Sequence, residues 1–222
     1  TAFHYIDSNI SWIAYKKDGD SVTNGDTIAK VTGYSCSILQ AERVALNFLQ
    51  RMSGIATLTR QHVDLIKKYD SKLLDTRKTT PLLRSLEKYS VRVGGGFNHR
   101  FGLYDMIMIK DNHIEAAGSI TEAVTRIKKR NTSYKIEVEV KNLKELQEAV
   151  DCQVDRVMLD NMSIEQIKEA VNIYKGEIEL EVSGNVKLHT IESIASTGVD
   201  YISSGSLTHS YQSLDISLLF KE

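Results

Sequence analysis

Short apolar segments alternate with helical segments along most of this 222-residue chain, and the alternation restricts the fold more than any other feature. The apolar runs predict strands that end at Leu74, Ile109, Val138, Leu159, Val182 and Ile202. The last four ends follow one another at 21, 23 and 20 residues, the length of a strand–helix unit. Helices are predicted near 119–130, 142–151, 163–175 and 187–196. Repeated units of this kind build a parallel sheet, so we expect an α/β fold with an incomplete (atypical) β/α barrel.

The first 40 residues follow a different pattern. Ser11–Tyr15 and Thr27–Val31 alternate between apolar and polar residues, which is typical of strands. Asp18-Gly19 and Asn24-Gly25 lie between them, and both dipeptides favour tight turns. The pattern becomes helical from Ala41, where a break between two helices is predicted at Ser53-Gly54.

These patterns predict two domains. Residues 1–40, together with 207–222, are expected to form a small N-terminal α/β domain, and residues 41–206 are expected to form the barrel. The chain begins at Thr1 rather than at methionine, so we also expect a preceding segment to be missing.

Composition excludes several classes of function. The 28 Lys and Arg residues against 29 Asp and Glu give a formal net charge of −1, without the basic excess of a nucleic-acid-binding protein. No apolar run approaches the roughly 18 residues that span a membrane. Two cysteines, Cys36 and Cys152, form neither a metal-binding nor a disulfide pattern, which favours a cytoplasmic location.

Positive charge is concentrated between Asp75 and His113. This segment holds the triple glycine Gly94–Gly96, the histidines His99 and His113, and five Arg or Lys residues in or close to polar turn motifs: Arg77, Lys78, Arg92, Arg100 and Lys110. Cations held close together repel one another unless an anionic ligand offsets the repulsion. The segment therefore indicates an enzyme with a highly anionic substrate.

Each predicted strand delivers polar residues where its apolar run stops. These are Asp75 with Arg77 and Lys78, Lys110 with Asp111, Glu139, Asp160, Ser183, and Ser203 with Ser204. The carboxyl ends of parallel strands meet on one face, which carries the active site of β/α barrels. We therefore expect these residues to surround one mouth.

Two strand ends resemble phosphate-binding loops. They are Ser183-Gly184-Asn185, which precedes a predicted helix, and Ser204-Gly205-Ser206, which follows the last predicted strand. Glycine lets the backbone approach a phosphate, and free N–H groups at a helix start favour an anion. Barrels commonly bind phosphate on the loops after their last two strands.

Glu139 and Asp160 follow consecutive strands close to these loops. Paired carboxylates there suggest Mg²⁺ or hydrogen bonds to sugar hydroxyls. Glu137 and Glu181 compete for the same role, and because Glu137 and Glu139 share one face of a strand, the pattern does not choose between them.

Lys110 and the two histidines have alternative interpretations. Lys110 could be the Schiff-base residue of a lyase, although the cations around it favour anion binding. His99 is either structural or, with Arg100, part of a carboxylate site. His113 is expected in a loop, where it would orient Asp111 or Asn112.

The motifs together resemble one enzyme family, the quinolinate phosphoribosyltransferases. The resemblance rests on Ala41-Glu42-Arg43, Leu46-Asn47, Ser53–Thr57, Asp75–Pro81, Gly94–Arg100, Ile109–His113, Leu159–Asn161 and Ser183-Gly184. It implies a small α/β domain beside an incomplete barrel, assembled as a dimer or a dimer-based hexamer. It also implies a C-terminal strand, Leu214–Phe220, that returns to the small domain.

The resemblance implies a reaction and its ligands. Quinolinate and phosphoribosyl pyrophosphate would react with Mg²⁺ to give nicotinate mononucleotide, pyrophosphate and CO₂ in NAD biosynthesis. Quinolinate would be bound by Arg77, His99 and Arg100, by Lys78 and Lys110 shared with the donor, and by Arg43 of a neighbouring subunit. The 5′-phosphate would be bound by Ser183, Gly184, Gly205 and Ser206. Catalysis would depend on Lys78, Lys110, Glu139 and Asp160, the last two holding the ribose hydroxyls and Mg²⁺, with no dedicated general base.

One position departs from the family pattern. Leu82 follows Pro81 where many members have glycine. The alternative within the same fold is a paralogue that accepts another aromatic acid without decarboxylation, but three cationic residues (Arg77, His99 and Arg100) favour a diacid.

Overall fold

The computed structural model describes residues 1–130 and 133–220. Its amino-terminal part contains α1 (Ala2–Ile6), β1 (Ser11–Ala14), β2 (Ala29–Thr32) and α2 (Ser35–Ile66). The remainder contains β3 (Lys72–Leu74), α3 (Arg84–Val93), β4 (Ile107–Ile109), α4 (Asp111–Ala117), α5 (Ile120–Lys128), β5 (Ile136–Val140), α6 (Leu143–Asp151), β6 (Arg156–Asp160), α7 (Ile164–Tyr174), β7 (Glu179–Ser183), α8 (Ile191–Ala195), β8 (Tyr201–Ser203) and α9 (Ser206–His209).

Strands β3 to β8 form one parallel sheet in the order β3-β8-β7-β6-β5-β4. The first two predicted strand ends, Leu74 and Ile109, are met, and the other four strands run one or two residues beyond the predicted ends. The sheet is not closed, because β3 and β4 are its edges. The prediction of an incomplete barrel is therefore confirmed. Phe97 forms an isolated parallel bridge with Leu74, which brings the residues that follow it to the open edge.

Alternation along the strands separates an apolar from a polar face. The apolar residues belong to the main buried cluster with the surrounding helices: Val138, Val140, Val157, Leu159, Leu180, Val182 and Ile202. The residues between them include Glu137, Arg156 and Glu181, which lie on the opposite face, towards the barrel interior. There Arg156 forms an ion pair with Glu181 and is the register partner of Glu137. The core thus lies between sheet and helices, and the interior is polar.

Side-chain caps explain where three of the outer helices begin. Ser119 accepts from the Glu122 N–H at the start of α5, and Asn142 accepts from the Glu145 N–H at the start of α6. Ser163 accepts from the Gln166 N–H at the start of α7 and completes a capping box. The helix predicted over 187–196 is shorter, because residues 187–190 form a turn before α8.

The predicted break at Ser53-Gly54 is wrong, since α2 continues from Ser35 to Ile66. Gly54 is buried there, and a Cβ atom at this position would lie 2.2 Å from the carbonyl oxygen of Gln212. Glycine is therefore present because the C-terminal segment crosses the helix closely, and not because the helix ends.

The small amino-terminal unit contains the predicted strands. β1 and β2 pair antiparallel, and the two intervening turns use positive φ angles of 93° at Gly19 and 90° at Gly25. Phe3, Ile10, Ile38 and Ala41 form a second buried cluster beside it. Helix α2 runs through residue 41, and the exact domain boundaries stay a prediction.

The C-terminal segment returns to this unit, but not as a strand. Residues 214–220 have no strand assignment. The segment is held instead by the bond from the Leu214 N–H to the Gln50 carbonyl (3.1 Å) and from Gln50 Nε2 to the Ile216 carbonyl (2.7 Å). Leu218 packs against the second buried cluster. Residues 221–222 of the predicted segment 207–222 lie outside the described residues.

Within residues 1–130 and 133–220, no helix has both the length and the apolar character required to cross a membrane.

Candidate active site

Lys110 and Glu139 meet at the carboxyl ends of β4 and β5. The Lys110 ammonium forms an ion pair with Glu139 Oε2, and the Glu139 side chain is largely buried. An ammonium held by a carboxylate is suited to binding an anion, whereas a Schiff-base lysine must react as the neutral amine. His113 is not in a loop as predicted. It lies in the first turn of α4, where its Nδ1 accepts from the Lys110 N–H at 3.0 Å.

Asp160 and Ser183 are register partners at the ends of β6 and β7. Asp160 Oδ2 accepts from Asn161 Nδ2 at 3.0 Å, and the Asn161 N–H donates to the Ser183 carbonyl at 3.0 Å. Gly184 has a φ of 95°, and a Cβ atom there would lie 2.2 Å from Asn161 Oδ1. The Asp160 and Ser183 loops are therefore packed together. However, α8 begins only at residue 191, so the predicted helix start does not follow Ser183–Asn185.

Lys78 lies against the loop after β8. A Cβ atom at Gly205 would lie 2.9 Å from Lys78 Cδ, and Thr208 Oγ1 donates to the Lys78 carbonyl at 2.7 Å. Ser206 Oγ lies 2.7 Å from Ser204 Oγ, and Gly205 immediately precedes α9. The structure thus brings one predicted cation beside the second predicted phosphate loop.

Arg77 and Arg100 form the more buried part of the cationic segment. Arg77 Nε is buried and has no hydrogen-bond partner among the described residues. Arg100 is half-buried, and its Nη1 donates to the Met106 carbonyl at 3.1 Å. Burial and the neighbouring charge of Arg77 lower the pKa of Arg100, although Glu137 and Asp105 oppose this shift. Two guanidinium groups close enough to repel each other are suited to an anion with two acidic groups.

Asp75 is a structural anchor rather than a residue of the mouth. It is fully buried, and its Oδ1 accepts from the Lys88 ammonium and, at 2.9 Å, from the His99 N–H. Asn98 Nδ2 donates to its second oxygen. Burial raises the pKa of Asp75 and lowers that of Lys88, and each charge partly offsets the shift of the other. Lys88 also donates to the His99 carbonyl at 2.9 Å, so the backbone of His99 is fixed on both sides.

The His99 ring is buried between two carboxylates. Its Nε2 lies 3.1 Å from Glu137 Oε2 and 3.3 Å from Glu181 Oε2. Burial opposes a charge on this ring, but the two carboxylates outweigh burial and raise the pKa of His99 to about 9. The Arg100 N–H donates to Nδ1 at 2.7 Å, and a ring nitrogen accepts only while it carries no proton. This contact favours one proton, on Nε2, and a second proton would have to displace the Arg100 N–H.

The two carboxylates differ from each other. Burial and the nearby Glu181 charge raise the pKa of Glu137. At Glu181, burial acts in the same direction, but His99, Ser203 and Arg156 outweigh it and lower the pKa. Arg156 Nη1 donates to Glu181 at 3.1 Å. The sequence pattern did not show which of Glu137, Glu139 and Glu181 faces the mouth of the barrel. In the structure, Glu137 and Glu181 lie inside the barrel and Glu139 lies closer to its mouth.

A cavity of about 410 Å³ opens beside Arg100. Its lining consists of Asn98, His99, Arg100, Phe101, Asp105, Met106 and Arg156. Because Arg156 begins β6, the cavity reaches the amino end of this inner strand, whereas Lys110, Glu139 and Asp160 lie at the carboxyl ends of their strands.

Arg43 is separate from these residues. It lies on α2, its side chain is 74% exposed, and its ion-pair partner is the adjacent Glu42 at 3.2 Å. Within the described residues, the structure does not bring Arg43 into contact with the other predicted site residues.

Sequence reasoning missed Arg84, Lys88 and Arg156. Arg84 contacts both cationic loops, donating to Thr79 Oγ1 (3.0 Å), to the Phe101 carbonyl (3.0 Å) and to the Arg77 carbonyl (3.2 Å). Arg156 and Glu181 occupy the polar positions of otherwise apolar strands, a signal that was visible in the sequence.

Leu82, which stands where many family members have glycine, lies in the turn after Pro81. Its φ is 66°, a left-handed conformation that glycine adopts more easily, and its side chain is fully exposed. The loop therefore keeps a glycine-like conformation without the glycine.

Comparison with known proteins identifies the family. Residues 2–53 match the family model "Quinolinate phosphoribosyl transferase, N-terminal domain", and residues 55–219 match "Quinolinate phosphoribosyl transferase, C-terminal domain". The chain is 47% identical over 217 residues to a Bacillus subtilis protein named probable nicotinate-nucleotide pyrophosphorylase (carboxylating), covering 97% of this chain and 75% of that protein. It is 45% identical over 235 residues to the chloroplastic nicotinate-nucleotide pyrophosphorylase (carboxylating) of Arabidopsis thaliana, covering 97% and 67%.

The fold gives the same result. The nicotinate-nucleotide pyrophosphorylase structure from Francisella tularensis matches with a TM-score of 0.94 and 48% identity, covering 97% of this chain and 77% of that one. With both family models in order along the chain and the predicted motifs in place, this chain belongs to the quinolinate phosphoribosyltransferase family of NAD biosynthesis.

Proposed function

We propose that this chain transfers the phosphoribosyl group of phosphoribosyl pyrophosphate to quinolinate, giving nicotinate mononucleotide, pyrophosphate and CO₂. The observation that carries the proposal is the proximity of Arg77, whose buried Nε has no partner among the described residues, to the half-buried Arg100. Buried cationic donors without partners are costly, and an acid with two carboxylates would offset that cost. The named relatives support the same reaction.

Quinolinate is assigned to the end of the site that contains Arg77 and Arg100. Their planar guanidinium groups can each bind a carboxylate through two hydrogen bonds. His99 is only 8% exposed, so we assign it a role within the barrel wall, in support of the two guanidinium groups. Lys78 and Lys110 are assigned to the boundary between quinolinate and the donor.

The donor phosphate is assigned to the two serine–glycine loops. Gly205 and Ser206 lie beside Lys78, and Ser183 and Gly184 lie beside the Asp160 loop. Because Gly205 lies close to the Lys78 side chain, the backbone N–H groups of this loop and a cation lie near each other. This combination suits a 5′-phosphate.

Mg²⁺ is proposed at Glu139 and Asp160. The two carboxylates lie near the carboxyl ends of the adjacent paired strands β5 and β6, and carboxylate oxygens are the hard ligands that Mg²⁺ prefers. When bound, the ion would neutralise charge on the departing pyrophosphate.

In this reaction the protein would bind and orient the two substrates and stabilise the charges that develop on them. Departure of pyrophosphate leaves an electron-poor sugar carbon, which the carboxylates of Glu139 and Asp160 would stabilise. The pyridine nitrogen of quinolinate bonds to that carbon. The carboxylate next to the now positive ring nitrogen then leaves as CO₂, its bonding electrons remain on the ring carbon, and a solvent proton replaces it. No general base is assigned.

A dimer is proposed from the position of Arg43. Within the described residues, its exposed side chain pairs with the adjacent Glu42 and does not reach the other predicted site residues. The apolar residues exposed on the same helix include Leu39, Val44 and Phe48. These features suit an interface with a second copy, across which Arg43 would reach the partner's site.

The cytoplasm is the proposed location, because Cys36 and Cys152 are free thiols.

The test is product analysis with quinolinate, phosphoribosyl pyrophosphate and Mg²⁺. The expected result is nicotinate mononucleotide with one CO₂ per turnover, lost when EDTA removes the metal. Product formed from nicotinate and not from quinolinate would overturn the proposal. For the dimer, Arg43→Ala and Lys110→Ala chains should each be inactive, and mixing them should restore part of the activity.

A further inference from the structure

The interior of this barrel is charged. Parallel barrels are usually filled by branched apolar side chains. Here the inward positions of β5, β6 and β7 carry Glu137, Arg156 and Glu181, and both glutamates have no exposed surface. A buried carboxylate is unfavourable unless it is paired, so the partners of these two glutamates indicate their role.

The partner shared by both glutamates is His99. Its Nε2 lies 3.1 Å from Glu137 and 3.3 Å from Glu181, while its Nδ1 accepts from the Arg100 N–H at 2.7 Å. Nε2 therefore lies close to both carboxylates, although among the described residues neither contact has the geometry of a hydrogen bond, and Nδ1 on the opposite edge of the ring holds the backbone of the next residue. The ring connects the two strands to Arg100.

Arg100 is the residue that this arrangement fixes. The backbone of His99 is held by Asp75 and Lys88, each at 2.9 Å, and the Arg100 guanidinium is held by the Met106 carbonyl at 3.1 Å. The Arg100 N–H is held by the His99 ring itself, through Nδ1 at 2.7 Å, so a ring that moved away from the glutamates would release this part of the Arg100 backbone.

A metal ion is a poorer explanation of the cluster. One ligand atom from each of His99, Glu137 and Glu181 lies within 4.8 Å of the others, a spacing that a metal could use. However, the Arg156 guanidinium already donates to Glu181 at 3.1 Å, and Arg100 lies near Glu137. These fixed positive charges oppose a divalent cation.

We propose that Glu137 and Glu181 are positioning residues for the diacid substrate, which hold the His99 ring and thereby direct Arg100 at a quinolinate carboxylate. The proposal rests on the proposed function. Neither glutamate contacts substrate, so their effect should appear in quinolinate binding and not in donor binding.

The experiment compares Glu181→Gln with Glu179→Gln. Both residues lie on β7 and both pair with Arg156, but Glu179 contacts Lys135 and Tyr201 instead of His99. Glu181→Gln should raise the KM for quinolinate about tenfold and leave the KM for phosphoribosyl pyrophosphate within about twofold. Glu179→Gln should change neither by more than about twofold. Equal effects of the two variants, or equal effects on the two substrates, would overturn the proposal.

Two further measurements keep the proposal testable if Glu181→Gln does not fold. Glu137→Gln removes no hydrogen bond to Arg156 and should give the same selective rise in the quinolinate KM; a variant with unchanged KM contradicts the proposal. In the wild type, ¹⁵N spectra of the histidine rings, assigned with His99→Gln and recorded above pH 9, where the His99 ring carries one proton, should show that proton on Nε2 and a bare Nδ1. The reverse tautomer would also contradict it. Absence of turnover by the wild type would instead count against the proposed function, because the ring spectra do not depend on activity.

Discussion

Arg84 Nη2 lies 3.2 Å from the carbonyl oxygen of Arg77, and the same guanidinium reaches the Phe101 carbonyl at 3.0 Å. One side chain thereby joins the loop that carries Arg77 to the loop that follows Arg100. Arg84 thereby fixes the distance between the two cationic groups assigned to quinolinate, and it need not touch the substrate to do so.

Arg84→Ala should weaken quinolinate binding. Loss of the three donated hydrogen bonds frees both loops, and a small displacement of binding groups is costly. We expect the quinolinate KM to rise about tenfold and the donor KM to change by less than about threefold, measured by steady-state kinetics. Arg92→Ala, on the exposed face of the same helix, is the control and should behave like the wild type. A normal quinolinate KM in Arg84→Ala would show that the loops hold their spacing without it.

Leu82→Gly should stabilise the protein. Leu82 has a φ of 66° and a fully exposed side chain, so the substitution relieves backbone strain and removes no buried contact. After the greater flexibility of glycine in the unfolded chain is subtracted, the expected gain in the free energy of unfolding is about 0.5–1 kcal/mol. Urea denaturation measures it. Leu103→Gly, at another exposed leucine without a positive φ, should bring no gain, and a loss of stability in Leu82→Gly would exclude strain at the turn.

His62 should make stability depend on pH. It is only 2% exposed, its Nε2 has no partner among the described residues, and burial lowers its pKa, partly opposed by the Leu58 carbonyl. With a lowered folded-state pKa, the unfolded chain binds the proton first as pH falls below about 6.5, so stability is lost in that direction, by at most about 1.4 kcal/mol per pH unit. His62→Gln should reduce this loss between pH 6.5 and 5 in denaturation curves. The exposed His189→Gln is the control, and identical slopes in the wild type and His62→Gln would contradict the assignment.

Gly54→Ala should destabilise the protein although alanine favours helices. The added methyl group would meet the Gln212 carbonyl at 2.2 Å, which forces the C-terminal segment away from α2. Overpacking costs about 1–3 kcal/mol, against about 1 kcal/mol gained in helix propensity. Thermal unfolding should show a lower Tm for Gly54→Ala than for the neighbouring Ser53→Ala. A Tm above that of the wild type would mean that the crossing adapts freely.

Local patterns predicted the sheet well because strand–helix repeats depend on nearby residues. The same patterns failed at Gly54, where the reason for glycine is Gln212, 158 residues further along the chain. They also could not separate Glu137 from Glu139, since alternation assigns both to one face and gives no depth within the barrel. The contact with His99 identifies Glu137 as the deeper of the two, and this contact depends on the distant bridge between Phe97 and Leu74, which brings the His99 segment to the sheet. The cationic segment itself was predictable, because its charges are adjacent in sequence.

The strand order has a consequence for synthesis. β3 pairs with β8, and the paired residues Lys72 and Tyr201 are 129 positions apart in the sequence. During synthesis, the loop that carries Arg77 and Lys78 therefore cannot pack against its final neighbours until β8 has been made. Premature termination anywhere before residue 201 would leave that edge without β8, and the nascent chain would display a backbone edge open to pairing with other chains. Lys72, an exposed lysine on this edge strand, is the kind of residue that discourages such pairing until the chain is complete.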